Sequence, residues 1–408
     1  MSKLKIIQVN KFLYAKGGAD KYFLTLIDKL PELDIETVPF AMTDSKNMAS
    51  PWSRYFSENI DYHQPKNIWK MARRLIWNQE AAKKFGQLLD ETKPDLVHAH
   101  NIYHQLSPAI LLEAKKRKIP VVMTLHDYKL ICPNYLMFSH GKPCNKCLKG
   151  NYLHCLADNC YNSYPRSALA VLESYLHNKI WHTYQNNVDL FISPSEYLKK
   201  MMVSAGWNAD KITVLVNPAP IYKATKDGQN LLYFGRLAVE KGVDVCLRAL
   251  KLTNEKLDIV GSGPEENNLK LLAKELELED RVIFHGNQEG ENLEKFKQEA
   301  KAVILPSVWA ENMSLVLLES LAYGKLIIAS ASGGTPELIK EGETGWLFSP
   351  GDYQMLAQKI EEINQINPEK RGIMAGFIKN KIIPLELSNH LEKLKNIYEQ
   401  IKNFSKNR

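Results

Sequence analysis

The chain of 408 residues has no apolar run near the roughly 18–20 residues that a membrane-crossing helix needs. Its opening residues, MSKLKIIQVN, set lysines among the apolar positions of a strand, and no long apolar core follows them. They do not read as a secretion signal, and a cytoplasmic protein is expected. No two aspartates are separated by a single residue, so the Asp-x-Asp pattern that can hold a divalent cation is missing. After the strand pattern LDIV, Gly261-Ser262-Gly263-Pro264-Glu265 has Glu266 where a dinucleotide fingerprint needs a third glycine. That excludes a hydride-transfer reading of this turn. Internal repeats and low-complexity segments are absent. So are helix-turn-helix, zinc-finger and aromatic RNA-binding signatures, and nucleic acid is not an expected partner.

What is present is a soluble globular composition, 45% apolar and 24% charged, in a chain long enough for two domains of about 200 residues. The net charge of +7 is uneven. Residues 1–217 hold 28 Lys/Arg against 19 Asp/Glu, a net +9, and residues 218–408 hold 25 against 27, a net −2. A basic first half suits a phosphate-bearing or acidic partner, or an anionic membrane surface.

Strand and helix patterns alternate almost throughout, which predicts a doubly wound α/β architecture. Strands are expected near 5–10, 35–40, 95–99, 120–125, 188–193 and 212–216. After two prolines the pattern restarts, with strands near 231–235, 256–260, 281–284, 302–305, 326–329 and 346–348. Helical patterns cover 66–91, 105–118, 166–185 and 194–204. The expected domains are 1–217 and 218–384, followed by an amphipathic helix at 385–408 beyond Pro384. Ligands of such sheets bind at the carboxyl ends of the strands, so site residues should lie on strand-end loops.

The most informative stretch is PSVWAENMSLVLLESLAYGKLIIASASGGTPE, from Pro306 to Glu337. It reads as a strand end, a loop with Glu311, a helix capped by Ser314 and ended at Gly324, a second buried strand and a glycine turn. Glu311 and Glu319 have seven residues between them. Glu311 therefore sits before the helix and Glu319 on its second turn, with the free amides of Asn312, Met313, Ser314 and Leu315 between. Carboxylates accept from hydroxyls and amides donate to them, a combination suited to a polyhydroxyl ligand. In Gly235-Arg236-Leu237-Ala238-Val239-Glu240-Lys241-Gly242, Arg236 leaves a strand and Lys241 opens the next helix, so both can converge on one anion. Gly17-Gly18 lies between the first strand and helix, where backbone can approach a phosphate. His126 and Asp127 follow the strand VVMTL.

These features resemble the Glu–seven residues–Glu signature of the family 4 retaining glycosyltransferases, which have the GT-B fold. The resemblance extends to Gly333-Gly334-Thr335-Pro336-Glu337 and Gly345-Trp346-Leu347-Phe348. It implies two facing Rossmann-like parallel-sheet domains with an interdomain cleft, the last helix crossing back onto the first domain. It implies transfer, with retention, of a hexosyl or N-acetylhexosaminyl group from a nucleotide-diphosphate sugar, such as a UDP-sugar. The acceptor implied is a glycan or lipid-diphosphate-linked glycan of cell-surface polysaccharide synthesis. Catalysis would be metal-independent, with Arg236 and Lys241 on the donor phosphates, His126 beside the donor sugar and Asp127 a companion. Glu311 would hold sugar hydroxyls, Glu319 the ribose, and Gly263 would stand near the base. The family more often has Gly-Phe-Gly where this chain has Asn312-Met313-Ser314. Two rivals remain open: a nucleotide-sugar 2-epimerase of the same fold, and a silent glycan- or nucleotide-binding module.

Five of the six cysteines, Cys132, Cys144, Cys147, Cys155 and Cys160, fall in an insertion at 130–165. Cys144, Cys147, Cys155 and Cys160, with Cys132 a substitute, have ligands enough for structural zinc, while unliganded thiols and a redox or iron–sulfur role stay open. At 66–77, Ile68, Trp69, Ala72, Leu75 and Ile76 share one helical face, with Lys66, Lys70, Arg73 and Arg74 elsewhere. That suits either a helix lying on an anionic bilayer or a domain helix with a solvated basic face.

Overall fold

The computed structural model describes residues 3–59, 68–223, 225 and 227–406. Two six-stranded sheets form the frame. In the first, β1 (Leu4–Val9), β2 (Ile35–Phe40), β3 (Leu96–Ala99), β4 (Val121–Thr124), β5 (Leu190–Ser193) and β6 (Ile212–Val214) are ordered 2-1-3-4-5-6. In the second, β7 (Leu231–Phe234), β8 (Leu257–Val260), β9 (Val282–Phe284), β10 (Ala302–Leu305), β11 (Leu326–Ser330) and β12 (Trp346–Phe348) are ordered 9-8-7-10-11-12. Every ladder in both is parallel. Strands such as β3 and β10 are buried at every residue, because helices cover both faces.

Local chemistry sets where the helices break. The expected helix at 66–91 is two helices, Ile68–Ile76 and Gln79–Thr92. Asn78 separates them by turning its side chain onto the Ala81 N–H at 3.1 Å, an N-cap inside the apparent run. The pattern at 166–185 likewise divides into Tyr164–Tyr175, a π turn at Leu176–Ile180 and Thr183–Asn187, with His182 left-handed at φ 48° before the last. The helix expected from 105 begins only at Ala109, after Pro108.

The terminal helix, Leu387–Lys406, lies on the first domain although it follows the second. Its Leu391, Leu394 and Tyr398 share a core with Ile6, Tyr22, Leu26 and Ile192. Ala219 also pairs with Glu386, so the chain passes twice between the domains at one place. The cysteine-rich insertion has a hairpin, Phe138–Ser139 with Lys142–Pro143, and a small core of Cys147, Tyr152, Cys155 and Val171.

Candidate active site

All the expected site loops leave the carboxyl ends of strands: residues 10–17 after β1, His126 after β4, Arg236 after β7, Gly263 after β8 and Glu311 after β10. The Glu311 carboxylate is the centre of the second domain's share. Its Oε1 accepts from Lys241 Nζ at 2.7 Å and from Ser307 Oγ at 2.6 Å. Burial alone would push this carboxyl up, but the Lys241 ammonium, with hydrogen bonds from Lys241 and Ser307, holds it below its ordinary value. The ammonium also stands 5.4 Å from the centre of the Trp309 ring. Arg236 pairs with Glu240, one turn along, and its side chain is 63% exposed.

Two glycines fix the Glu311 loop. A Cβ on Gly333, where φ is +63°, would stand 2.0 Å from the Glu311 carbonyl oxygen, and one on Gly334 would stand 2.2 Å from that of Asn312. Only bare Cα atoms admit this contact, which the Gly334 N–H secures with a 2.7 Å bond to Glu311 O. Ser314 then caps the helix Leu315–Ala322, accepting from Leu317 N at 3.4 Å. The amides of Leu315 and Val316 precede the first intrahelical bond. Glu319 lies further along and pairs with Lys297 at 2.5 Å.

The first domain meets this loop directly. Asn312 Nδ2 donates to the His126 carbonyl at 3.0 Å, and Tyr128 Oη donates to Ala310 O at 2.7 Å. Gly18 faces Leu315, whose Cδ1 would stand 2.8 Å from a Cβ there. Gly17 is the extended N-cap of the helix Gly18–Lys29. Lys241, Glu311, Asn312 and His126 are thus linked contact by contact across the domains. Asp127 borders a groove of about 300 Å³ with Lys11, Lys16 and Tyr103, and burial pushes its carboxyl up. The Glu337 carboxylate adds another interdomain tie, accepting from the amides of Glu196 and Tyr197 at 3.0 and 2.6 Å.

Some expected residues stand in supporting positions. A Cβ on Gly263 would stand 2.1 Å from Leu237 O, so this glycine lets its turn prop the Arg236 loop. The Met313 side chain is buried in the second domain's core and leaves only its backbone for a ligand. Lys297 and His100 were not legible as site residues, because they meet Glu319 and His126 only through the fold. Ser307 and Glu240 lie four residues from Glu311 and Arg236, inside the quoted stretches, and their pairing was not read from that spacing.

The sulfurs of the insertion share one place. Cys132, Cys144, Cys147, Cys155 and Cys160 line a single small pocket of about 10 Å³, near the space of one water. All are free thiols. Among the described residues no three His, Cys, Asp or Glu side chains are placed to hold one metal ion. The sulfurs share one place without standing as a ligand set, and holding zinc would require the thiols to draw inward. Of the amphipathic segment at 66–77, Lys66 and the side chains of Ile68, Trp69 and Lys70 lie outside the described residues. Leu75 is buried, and Arg74 pairs with Glu58 at 2.9 Å and Glu80 at 2.8 Å, so both of these face protein. No helix among the described residues is long and apolar enough to cross a membrane.

Two family models match the chain, Glycosyltransferase Family 4 over residues 16–221 and Glycosyl transferases group 1 over residues 220–382. The chain belongs to this glycosyltransferase family. The glycosyltransferase is 28% identical over 296 residues to an uncharacterized 42.6 kDa protein in the cps region of Klebsiella pneumoniae, covering 71% of each. It is 28% identical over 194 residues to the amylovoran biosynthesis glycosyltransferase AmsK of Erwinia amylovora, covering 43% of this chain and 48% of AmsK. Its fold is similar to that of Anabaena Alr3699/HepE in complex with UDP-glucose, with a TM-score of 0.69 at 19% identity, covering 97% of this chain and 100% of that one. The GT-B architecture and a kinship with polysaccharide-biosynthesis enzymes follow.

Proposed function

We propose that this glycosyltransferase moves a hexosyl or N-acetylhexosaminyl group from a UDP-sugar to a glycan or lipid-diphosphate-linked glycan, with retention of configuration. The observation that carries this reading is the Lys241–Glu311 pair on a loop bonded to His126 of the opposite domain. In this reading a cation, a carboxylate, helix-start amides and the His126 side chain serve one strand-end site. Lys241 and Arg236 are assigned to the diphosphate, where negative charge grows as the bond to the sugar breaks. Both are held by carboxylates, Glu311 and Glu240, that the incoming phosphates can outcompete. Glu311, the amides of Asn312, Met313, Ser314 and Leu315, and His126 are assigned to the sugar, and Glu319 to the ribose. HepE, of similar fold, is solved with UDP-glucose, and this supports a UDP-linked donor. Retention then means attack on the face from which the diphosphate leaves. No catalytic metal is invoked.

The experiment is nucleotide release from UDP- and GDP-sugars, with and without lipid-linked glycan acceptors, and NMR of the anomeric product. Acceptor-dependent UDP release with the donor's anomeric configuration is expected. A 2-epimer formed from donor alone would establish the epimerase reading. No release across all donors would favour the silent module.

The insertion's thiols are proposed to hold structural zinc through Cys144, Cys147, Cys155 and Cys160, with Cys132 able to substitute. An anionic membrane is proposed to meet the basic first domain where Ile180 and Trp181 stand exposed beside Trp77.

A further inference from the structure

β3 and β4 end side by side on a histidine each, His100 one residue beyond β3 and His126 two beyond β4. His100 is fully buried and its ring meets that of His126 edge to edge, with ring centres 5.3 Å apart and planes 28° apart. Its Nδ1 is 3.0 Å from His126 Nε2, and its Nε2 is 3.0 Å from Gln8 Oε1. Gln8 is also fully buried, and its Nε2 donates to Tyr398 Oη at 3.3 Å. Tyr398 belongs to the terminal helix, and its hydroxyl lies 2.7 Å from His98 Nδ1. The chain of contacts runs from the cleft through the first domain to the helix that closes it.

Proton placement follows from the partners. Burial holds both imidazoles neutral at physiological pH, with His126 brought down to about 4, so each carries a single N–H. The Gln8 oxygen only accepts, which puts the His100 proton on Nε2. The bare His100 Nδ1 must then accept, and that puts the His126 proton on its Nε2. His126 Nδ1, on the other side of the ring, keeps its lone pair.

We propose that His100 is a positioning residue that fixes the ring plane and the Nε2–H tautomer of His126, leaving Nδ1 to accept a hydroxyl of the donor sugar. This rests on the assignment of His126 to the sugar, and the tautomer can be read without turnover. Three proteins make the test: wild type, His100→Phe, which keeps an aromatic ring and loses the acceptor, and His100→Asn, whose amide oxygen can stand near the Nδ1 position. Long-range ¹H–¹⁵N correlation on the full ¹⁵N-histidine chain should show one Nε2–H tautomer for His126 in wild type and His100→Asn, and a mixture in His100→Phe. With the accepted donor, kcat of His100→Phe should fall roughly tenfold or more while donor KM moves less than about threefold, and His100→Asn should recover most of kcat. An Nδ1–H tautomer in wild type overturns the proposal, and that reading needs no variant to fold. So does an unchanged tautomer in His100→Phe, or a His100→Asn variant as impaired as His100→Phe. If the tautomers behave as stated but no UDP-sugar is turned over, the donor assignment has failed and the His100–His126 relation stands.

Discussion

Replacing Lys241 with methionine tests the site at its centre. Glu311 is 8% exposed, and its side chain accepts from Lys241 and Ser307 together. Without the ammonium, a nearly buried carboxylate keeps one hydroxyl for company. Breaking a buried ion pair from one side costs about 3–5 kcal/mol. The Lys241 side chain is 25% exposed, so solvent screens part of that interaction, and a loss of roughly 2–3 kcal/mol is expected. For a domain of this size that lowers Tm by about 4–12 °C. The double variant Lys241→Met/Glu311→Gln removes the stranded charge and should regain most of the loss, a coupling of roughly 2 kcal/mol in a double-mutant cycle. Activity should not follow stability. Both variants lack the cation assigned to the leaving diphosphate and should lose about 10²–10³ in kcat. The pH dependence has a definite sign. In the wild type the Glu311 pKa is held below its ordinary value, so the pair stabilises the fold above about pH 4.5 and its contribution fades as acid protonates the carboxyl. In Lys241→Met, unopposed burial raises that pKa, so the deficit relative to wild type is largest near pH 8 and shrinks toward pH 5. Thermal unfolding across pH, with UDP release on the same preparations, measures all of this. A double variant no more stable than Lys241→Met, or transfer within tenfold of wild type in either, would refute the reasoning.

Three further outcomes are expected. His98 is fully buried and His390 nearly so, and burial first, then neighbouring histidine or lysine charge, brings their pKa values down to about 3 and about 4. Both depressions stabilise the fold above pH 6.5 and are lost as pH falls toward the folded values, at roughly 2 kcal/mol each by pH 5, so a flat Tm from pH 7 to 5 would count against the buried network. Elemental analysis of protein purified without chelator should find near-stoichiometric zinc, and alanine at Cys144 and Cys147 together should abolish it; zinc-free wild-type protein refutes the thiolate site. The enzyme should float with vesicles rich in anionic lipid at low salt and detach as salt rises, and absence of binding at low salt removes the membrane proposal.

The frame was legible because its signals are strong and local. Buried parallel strands such as AVIL and LIIAS carry no alternation, and that alone separates them from the half-solvated strands of an antiparallel sheet. Ser314 and Gly324 marked the ends of the Glu319 helix for reasons that hold in any fold, a side-chain cap and a left-handed turn at φ +68°. Helix interruptions were less legible. The cap at Asn78 sits inside a run whose apolar spacing continues across it, and long-range bonds such as Asn78 N to Ser107 Oγ at 2.9 Å and Asn78 Nδ2 to Gln105 O at 2.6 Å help hold the turn there. Gly333 and Gly334 looked like a turn opening a helix; their tighter requirement, contact with the Glu311 and Asn312 carbonyls, comes from a strand neighbour rather than a sequence neighbour.

The least legible feature is that the site's charges are matched in pairs. Residue types predicted cations for phosphate and carboxylates for hydroxyls, as separate provisions. In the fold Lys241 is on Glu311, Arg236 is on Glu240 and Glu319 is on Lys297. Lys297 could not be found from sequence, because EKFKQE is an ordinary solvated helix pattern until its ammonium is buried between the Phe234 and Tyr323 rings. The pairing has a physical purpose that the unpaired inventory hides. A cleft holding bare cations and bare carboxylates at low dielectric would carry a large desolvation cost in the closed form. Neutral pairs suit the interdomain contacts of Asn312 on His126 and Tyr128 on Ala310 without a ligand to supply balancing charge. On the proposed donor assignment, an incoming diphosphate would take a cation from a carboxylate, and the carboxylate so released would be free to accept from sugar hydroxyls. On this argument donor phosphate and donor sugar are recognised by one exchange of partners, and an uncharged sugar alone should bind far more weakly than the intact nucleotide sugar.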